Sequence, residues 1–241
     1  MLGTTHALTA ATGTLTACTL TTLAGHPPTA KTLILGTLIT AGAAYLPDID
    51  HPNSTATRLL GPLTRTLHWA TTAGCTAVHR HTRATADPRT TDGHRTLTHT
   101  IPAALTAGAI TAAACALAGK PAALTVLFLT IALVARSILP TRRGITALLL
   151  AALITAVAGA TVSDCNWTWL GAAITWGWLS HCLTDALTTA GAPLLWPLPI
   201  HGRRWHPIAP PWKLTTGSTC ERWIITPTLA LTAAALTYHL Y

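Results

Sequence analysis

Apolar residues in this chain come in long unbroken blocks, not in the two-residue alternation of a half-buried strand. Seven blocks reach spanning or near-spanning length, at roughly 6–24, 31–47, 100–118, 121–139, 145–162, 167–187 and 223–240. A helix needs about 20 apolar residues to cross a bilayer, with a range of about 17–25. Breaker residues punctuate them: Gly25-His26-Pro27-Pro28, Gly119-Lys120-Pro121 and Pro140 through Gly144. Pro102 falls in the first turn of the third block, where its missing N–H costs nothing. Two longer polar segments remain, 48–99 and 188–222. In the first, Arg58, Leu59, Leu60, Leu63, Leu67 and Trp69 follow a helical apolar pattern with basic punctuation, which predicts a helix lying in the membrane interface. The second is rich in Pro and Trp, with Trp196, Trp205 and Trp212, and predicts an ordered cap at headgroup level.

Composition turns this pattern into a fold class. Of 241 residues 50% are hydrophobic and only 9% charged, with a mean hydropathy of +0.44. A soluble domain carries about 25% charged residues. The expectation is an all-α fold: a polytopic transmembrane helical bundle of about seven spans, one membrane-embedded domain over 1–241. Thr and Ala dominate the spans, so helices can approach closely and bond through hydroxyls. The net charge of +8 would suggest nucleic acid in a soluble protein. Here the basic residues flank apolar blocks, and membrane lipids with anionic headgroups are the expected partner, with no nucleic acid. Six cysteines show no C-x-x-C pair, so neither a disulfide framework nor a thiolate zinc knuckle is expected. The first block lacks a basic n-region and carries His6, so it is not expected to be a cleavable signal peptide, and the pattern leaves the oligomeric state open.

Seven spans impose a sidedness. The N-terminus, 48–99, 136–144 and 188–222 share one face, which then holds all but Lys31 and Lys120 of the 15 Lys and Arg residues. The positive-inside rule makes that face cytoplasmic, so 48–99 and 188–222 read as cytoplasmic loop segments.

The same face collects the chain's unusual chemistry. Three of only seven acidic residues lie beside histidines at block ends: Asp48-Ile49-Asp50-His51, and His181 with Asp185. His94 and His99 bracket Arg95 before the third block. His181 and Asp185 are i and i+4, so they share a helix face. Pro47 and Pro52 turn the backbone around Asp48, Asp50 and His51. Each cluster also has an ordinary reading: a carboxylate–imidazole pair at a helix end, an Asp cap, a basic interfacial anchor. His6 stands alone near the start of the first block, and Glu221, the chain's one glutamate, opens the last. His68, His79, His81, His201 and His206 lie on the same face, and most of them are expected in ordinary interfacial roles. Together the clusters supply oxygen and imidazole ligands in the mixture that suits zinc, with manganese or iron as alternatives, and in number enough for two ions. The candidate ligands are His6, Asp48, Asp50, His51, His94, His99, His181 and Asp185. Asp50, Glu221 and Arg95 are candidates for the catalytic groups. A two-metal site activates water and clamps phosphoryl oxygens, and Arg95 with Arg203 or Arg204 can hold a phosphate.

The ordered motifs resemble the YdjM-like family of bacterial inner-membrane metal-dependent hydrolases: an early His6, then L-P-D-x-D-H-x-x-S over Leu46–Ser54, H-R-x-x-T-H over His94–His99, H-x-x-x-D at His181–Asp185 with Gly191 and Pro193, and T-G-S-x-x-E over Thr216–Glu221. Each motif alone is weak; the ordered set covers nearly the whole chain. Thr100 stands where the family continues H-R-x-x-T-H with Ser, which keeps the hydroxyl. The resemblance implies a multi-pass inner-membrane hydrolase. It is also distantly similar to zinc-dependent phospholipases C, which share H-x-x-x-D. The reaction then expected is metal-hydroxide attack on a phosphoester of a phospholipid or lipid-linked substrate.

Two rivals stand beside it. A metal-free lipid phosphatase of the vanadium-haloperoxidase type is excluded, because it needs S-R where Ile174 and Thr175 stand. A metal transporter, or a non-catalytic metal-binding membrane protein, remains as the alternative, although transport sites favour the bilayer midplane.

Overall fold

The computed structural model describes residues 1–90, 92–139, 144–162, 166–212 and 214–240. Eight α-helices occur among them: α1 (Gly3–Leu23), α2 (Ala30–Ala43), α3 (Pro62–Thr82), α4 (Ile101–Ala118), α5 (Lys120–Ile138), α6 (Gly144–Thr161), α7 (Trp169–Ala186) and α8 (Thr226–Leu240). No strand is present among the described residues; the 188–214 segment is held by isolated bridges such as Thr188 with Leu214 and Ala192 with Ile208. The connection from Pro140 to Arg143, and Cys165, lie outside the described residues.

Seven of the helices coincide with the seven apolar blocks, and their ends follow local chemistry. Thr29 caps α2 by accepting from Thr32 N, and Thr100 caps α4 by accepting from Ala103 N, just ahead of Pro102. Gly119, at φ 58°, divides α4 from α5 in a conformation that favours glycine. Five segments are long and apolar enough to cross a membrane: 30–50, 101–118, 120–138, 144–161 and 221–240. α1 and α7 have the length but are less apolar, because they carry threonines, His6, His181 and Asp185.

α2 and α7 form the centre. α2 packs on α1, α5 and α7, and α7 also packs on α4 and α1; α6 leans on α5, and α8 on α1. Small residues set these approaches. A Cβ on Gly177 of α7 would overlap Thr40 O and Ala43 Cβ of α2. Gly108 of α4 and Gly171 of α7 each face the other's carbonyl, with no room for a Cβ. Most threonine hydroxyls return to a carbonyl of their own helix, as Thr37 does to Leu33 O at 2.8 Å, which hides the polar atom from lipid. A few cross between helices: Thr14 to Thr40 at 2.8 Å and Thr5 to Thr226 at 3.0 Å.

The helix predicted within 48–99 differs from its expected extent. Residues 51–61 form turns, and α3 begins only at Pro62, because Gly61 takes φ 62°. α3 then runs on to Thr82, burying Thr64, His68, Cys75 and His79 along one face. Leu63, Leu67 and Trp69 stay exposed on the other side, as suits a helix resting in the interface. His68 Nδ1 donates to Ile49 O at 2.8 Å and pins this helix to the turn Pro47–Asp50.

Candidate metal centre

Four elements meet at one end of the bundle. α1 brings His6. The tight turn after α2 brings Asp48 and Asp50. The segment before α4 brings His94, Arg95 and His99. The last turns of α7 bring His181 and Asp185. The five-residue gap from His94 to His99 is absorbed by a turn, Leu97–His99, that redirects the chain. Apart from Asp48, His94 and Arg95 at the rim, these residues are buried.

Their hydrogen bonds define which nitrogen of each ring faces inward. His181 Nδ1 donates to Ala44 O at 2.8 Å. His6 Nδ1 donates to Thr184 Oγ1, whose own proton goes to the backbone of α7. His99 Nδ1 donates to Thr98 Oγ1 at 3.0 Å, and that hydroxyl donates onward to Asp50 Oδ2. His94 Nδ1 donates to Asp50 Oδ1 at 2.8 Å. In each neutral ring the bonded Nδ1 carries the proton, and Nε2 is left with its lone pair. This is the arrangement that orients histidines toward a metal.

The inward atoms face one another at spacings longer than the bonds on the Nδ1 side. His99 Nε2 and His181 Nε2 are 3.3 Å apart. Asp185 Oδ2 is 3.4 Å from the first and 3.6 Å from the second; Asp48 Oδ1 is 3.7 Å and 3.5 Å from them. Two lone pairs facing each other repel, and either a shared proton or a metal cation between them relieves that repulsion. Ligand atoms placed 2.0–2.2 Å from a tetrahedral zinc would be about 3.3–3.6 Å apart, close to the separations of these imidazole and carboxylate atoms. The donors also fall into two compact groups, Asp48, Asp50, His94 and His99 in one and His6, His181 and Asp185 in the other, each with ligand atoms within 4.8 Å of one another. His6 stacks on His181 with ring centroids 3.8 Å apart and aims Nε2 at Asp185 Oδ1, 3.3 Å away.

Asp50 is heavily engaged: besides Thr98 and His94 it accepts from Arg95 N at 3.2 Å. Arg95, at φ 54° outside the usual region for a side-chain-bearing residue, spans Asp185 Oδ2 at 2.9 Å and Thr188 Oγ1 at 2.9 Å. His51 joins neither group. Its Nδ1 accepts from Asn53 N at 3.2 Å and its ring meets His94 edge-on. Burial, and then the neighbouring His94, holds it below the ordinary imidazole range. Glu221 also stands apart. Its carboxylate accepts from Leu2 N at 2.6 Å and Gly217 N at 2.7 Å, while Ser218 Oγ accepts from Glu221 N, a capping-box-like knot. T-G-S-x-x-E thus ties the start of α8 to the start of α1.

Arg203 and Arg204 are not brought to the cluster. Arg204 N and Trp205 N donate to Asp87, a buried carboxylate that also caps Ala84 N. Asp87 and its neighbour Trp205, which stacks on Trp196 and meets His79, join the end of α3 to the 188–214 segment. Sequence reading passed over Asp87 because nothing near it repeats or pairs. Thr98 and Thr184 were inside the quoted motifs, and their hydroxyls were the signal for the ring orientations.

Comparison with known proteins bears on this cluster. A family model described as YdjM inner membrane protein matches residues 1–139 and 127–241, so the two matches span the whole chain. No curated protein and no solved structure matches it.

Proposed function

Because the chain belongs to the YdjM inner membrane protein family, we propose that it is a membrane-bound, metal-dependent hydrolase acting on a phosphoester of a phospholipid or lipid-linked substrate. The observation that carries this reading is the pair of Nε2 atoms of His99 and His181, 3.3 Å apart and flanked by the carboxylates of Asp48 and Asp185. Zinc fits that donor set best, with manganese or iron as alternatives, and the two neighbouring groups leave room for two ions. His99, His181, Asp48 and Asp185 would hold such an ion, which would supply Lewis-acid activation of water and of a phosphoryl oxygen.

The chain's own residues do the rest. Asp50, through Thr98, fixes the orientation of His99, and directly that of His94. Arg95 neutralises Asp185 and sits at the rim, where a phosphoryl oxygen can reach its guanidinium. Asp48, 28% exposed at its side chain, marks the open side of the centre. Glu221 acts as a positioning residue from behind, holding α1 and therefore His6 in place. His51 stands at the entrance. The bundle is proposed to cross the membrane seven times, with α3 in the interface, the 188–222 segment as a cap, and the centre facing the cytoplasm; a C-terminal reporter is then expected outside.

Elemental analysis beside a phospholipid-hydrolysis assay tests the reading. Stoichiometric metal and turnover in the wild type, both lost in His99→Ala and Asp48→Ala, support it. A specific feature favours a second reading: the cluster joins α1, α2, α7 and the entry to α4, as a non-catalytic metal staple would. Metal-loaded protein that hydrolyses no phosphoester, yet unfolds on chelation, selects the staple.

A further inference from the structure

Beside the candidate metal centre lies a polar cavity of about 510 Å³, between the start of α1, the end of α2, the 53–58 turn and the end of α5. Arg58 and Arg136 line it, together with Tyr45, Asn53 and Ser137. Arg58 is oriented by Asn53 Oδ1. Among the described residues neither arginine has an ion-pair partner, and no carboxylate lines the cavity. In a protein this poor in charge, two uncompensated guanidiniums facing one polar cavity call for an anion, and the planar fork suits phosphate oxygens. Its lining is next in sequence to residues that hold the centre: Tyr45 follows the Ala44 carbonyl that orients His181.

The neighbouring surface identifies the source of that anion. Leu129, Leu133, Arg136 and Ser137 lie at i, i+4, i+7 and i+8, one face of α5. Arg136 and Ser137 line the polar cavity, whereas Leu129 and Leu133 line an apolar crevice of about 510 Å³ with Leu59, Leu63 and Trp178. Successive turns of one helix thus line an apolar crevice and then the polar cavity. We infer that Arg58 and Arg136 bind the phosphate of an anionic membrane phospholipid, whose acyl chain follows the crevice along α5. As a substrate subsite this rests on the hydrolase reading; as a lipid-binding site it does not.

The test is thermal unfolding of the metal-loaded protein in detergent micelles, titrated with phosphatidylglycerol, phosphatidylcholine or inorganic phosphate. Phosphatidylglycerol is expected to raise the midpoint at concentrations where the other two do not. Arg58→Gln and Arg136→Gln should each need at least tenfold more phosphatidylglycerol for half the shift, with metal content unchanged. Wild-type response in both variants overturns the site. An equal response to phosphatidylcholine overturns the phosphate contact, and an equal response to inorganic phosphate overturns the lipid source. Should Arg136→Gln fail to fold, exposed Arg58 decides alone. If lipid binding behaves as expected and no phosphoester is hydrolysed, only the hydrolase reading falls.

Discussion

Replacing Thr98 by valine probes the centre without touching a proposed ligand. The Thr98 hydroxyl accepts from His99 Nδ1 at 3.0 Å and donates to Asp50 Oδ2. Valine keeps the shape and removes both bonds. Asp50 retains His94 and Arg95 N, but the Nδ1 proton of His99 is left with Asp50 Oδ2 at 3.5 Å, too far to replace the lost bond. A hydrogen bond to a charged group contributes about 1.5–3 kcal/mol. That corresponds to roughly 10–100-fold in affinity, the range found for partners that orient metal-bound histidines. Thr98→Val should therefore bind zinc about 10–100-fold more weakly than wild type, while keeping its helical circular dichroism. Competition with a chromophoric chelator measures this directly. Zinc affinity within threefold of wild type in folded Thr98→Val would refute the role given to the hydroxyl, and with it the assignment of Nε2 as the inward nitrogen.

Other outcomes follow from the same geometry. Metal content should collapse in His181→Ala and persist in His51→Ala, whose Nδ1 is taken by Asn53 N; elemental analysis separates them. Glu221→Gln should lower the unfolding free energy by about 1–3 kcal/mol, because one of two part-buried amide donors loses its charged acceptor, with metal stoichiometry retained. Gly177→Ala should cost about 1–3 kcal/mol by overpacking the α2–α7 contact, visible as a lower thermal midpoint; an unchanged midpoint would show that the helices separate freely.

The sequence by itself determined a good deal. Blocks of apolar residues near spanning length, with prolines, glycines and threonines at their ends, predict helices because backbone polar groups in lipid must be satisfied within the segment. Seven of the eight α-helices follow from that alone. The scarcity of charge also made Asp48, Asp50, Asp185 and the histidines around them conspicuous, since an ionisable group at a membrane helix end is costly without a partner. Where α3 begins was less legible: the Arg58–Leu60 stretch continues its apolar pattern, but a left-handed Gly61 interrupts it.

Only the tertiary structure decided how those groups work together. Which nitrogen of His181 faces inward depends on Ala44 O, 137 positions away along the chain, and no local pattern encodes such a contact. The same holds for Glu221, whose acceptor role requires Leu2 N from the other end of the chain. Arg58 and Arg136 look like ordinary interfacial cations in sequence; they become a pair because the turn after α2 folds over the end of α5. Helix formation is a short-range property of spacing and composition. The choice of ligand atom, and the joining of distant cations into one cavity, are set by close packing between helices, where a glycine such as Gly177 fixes the separation.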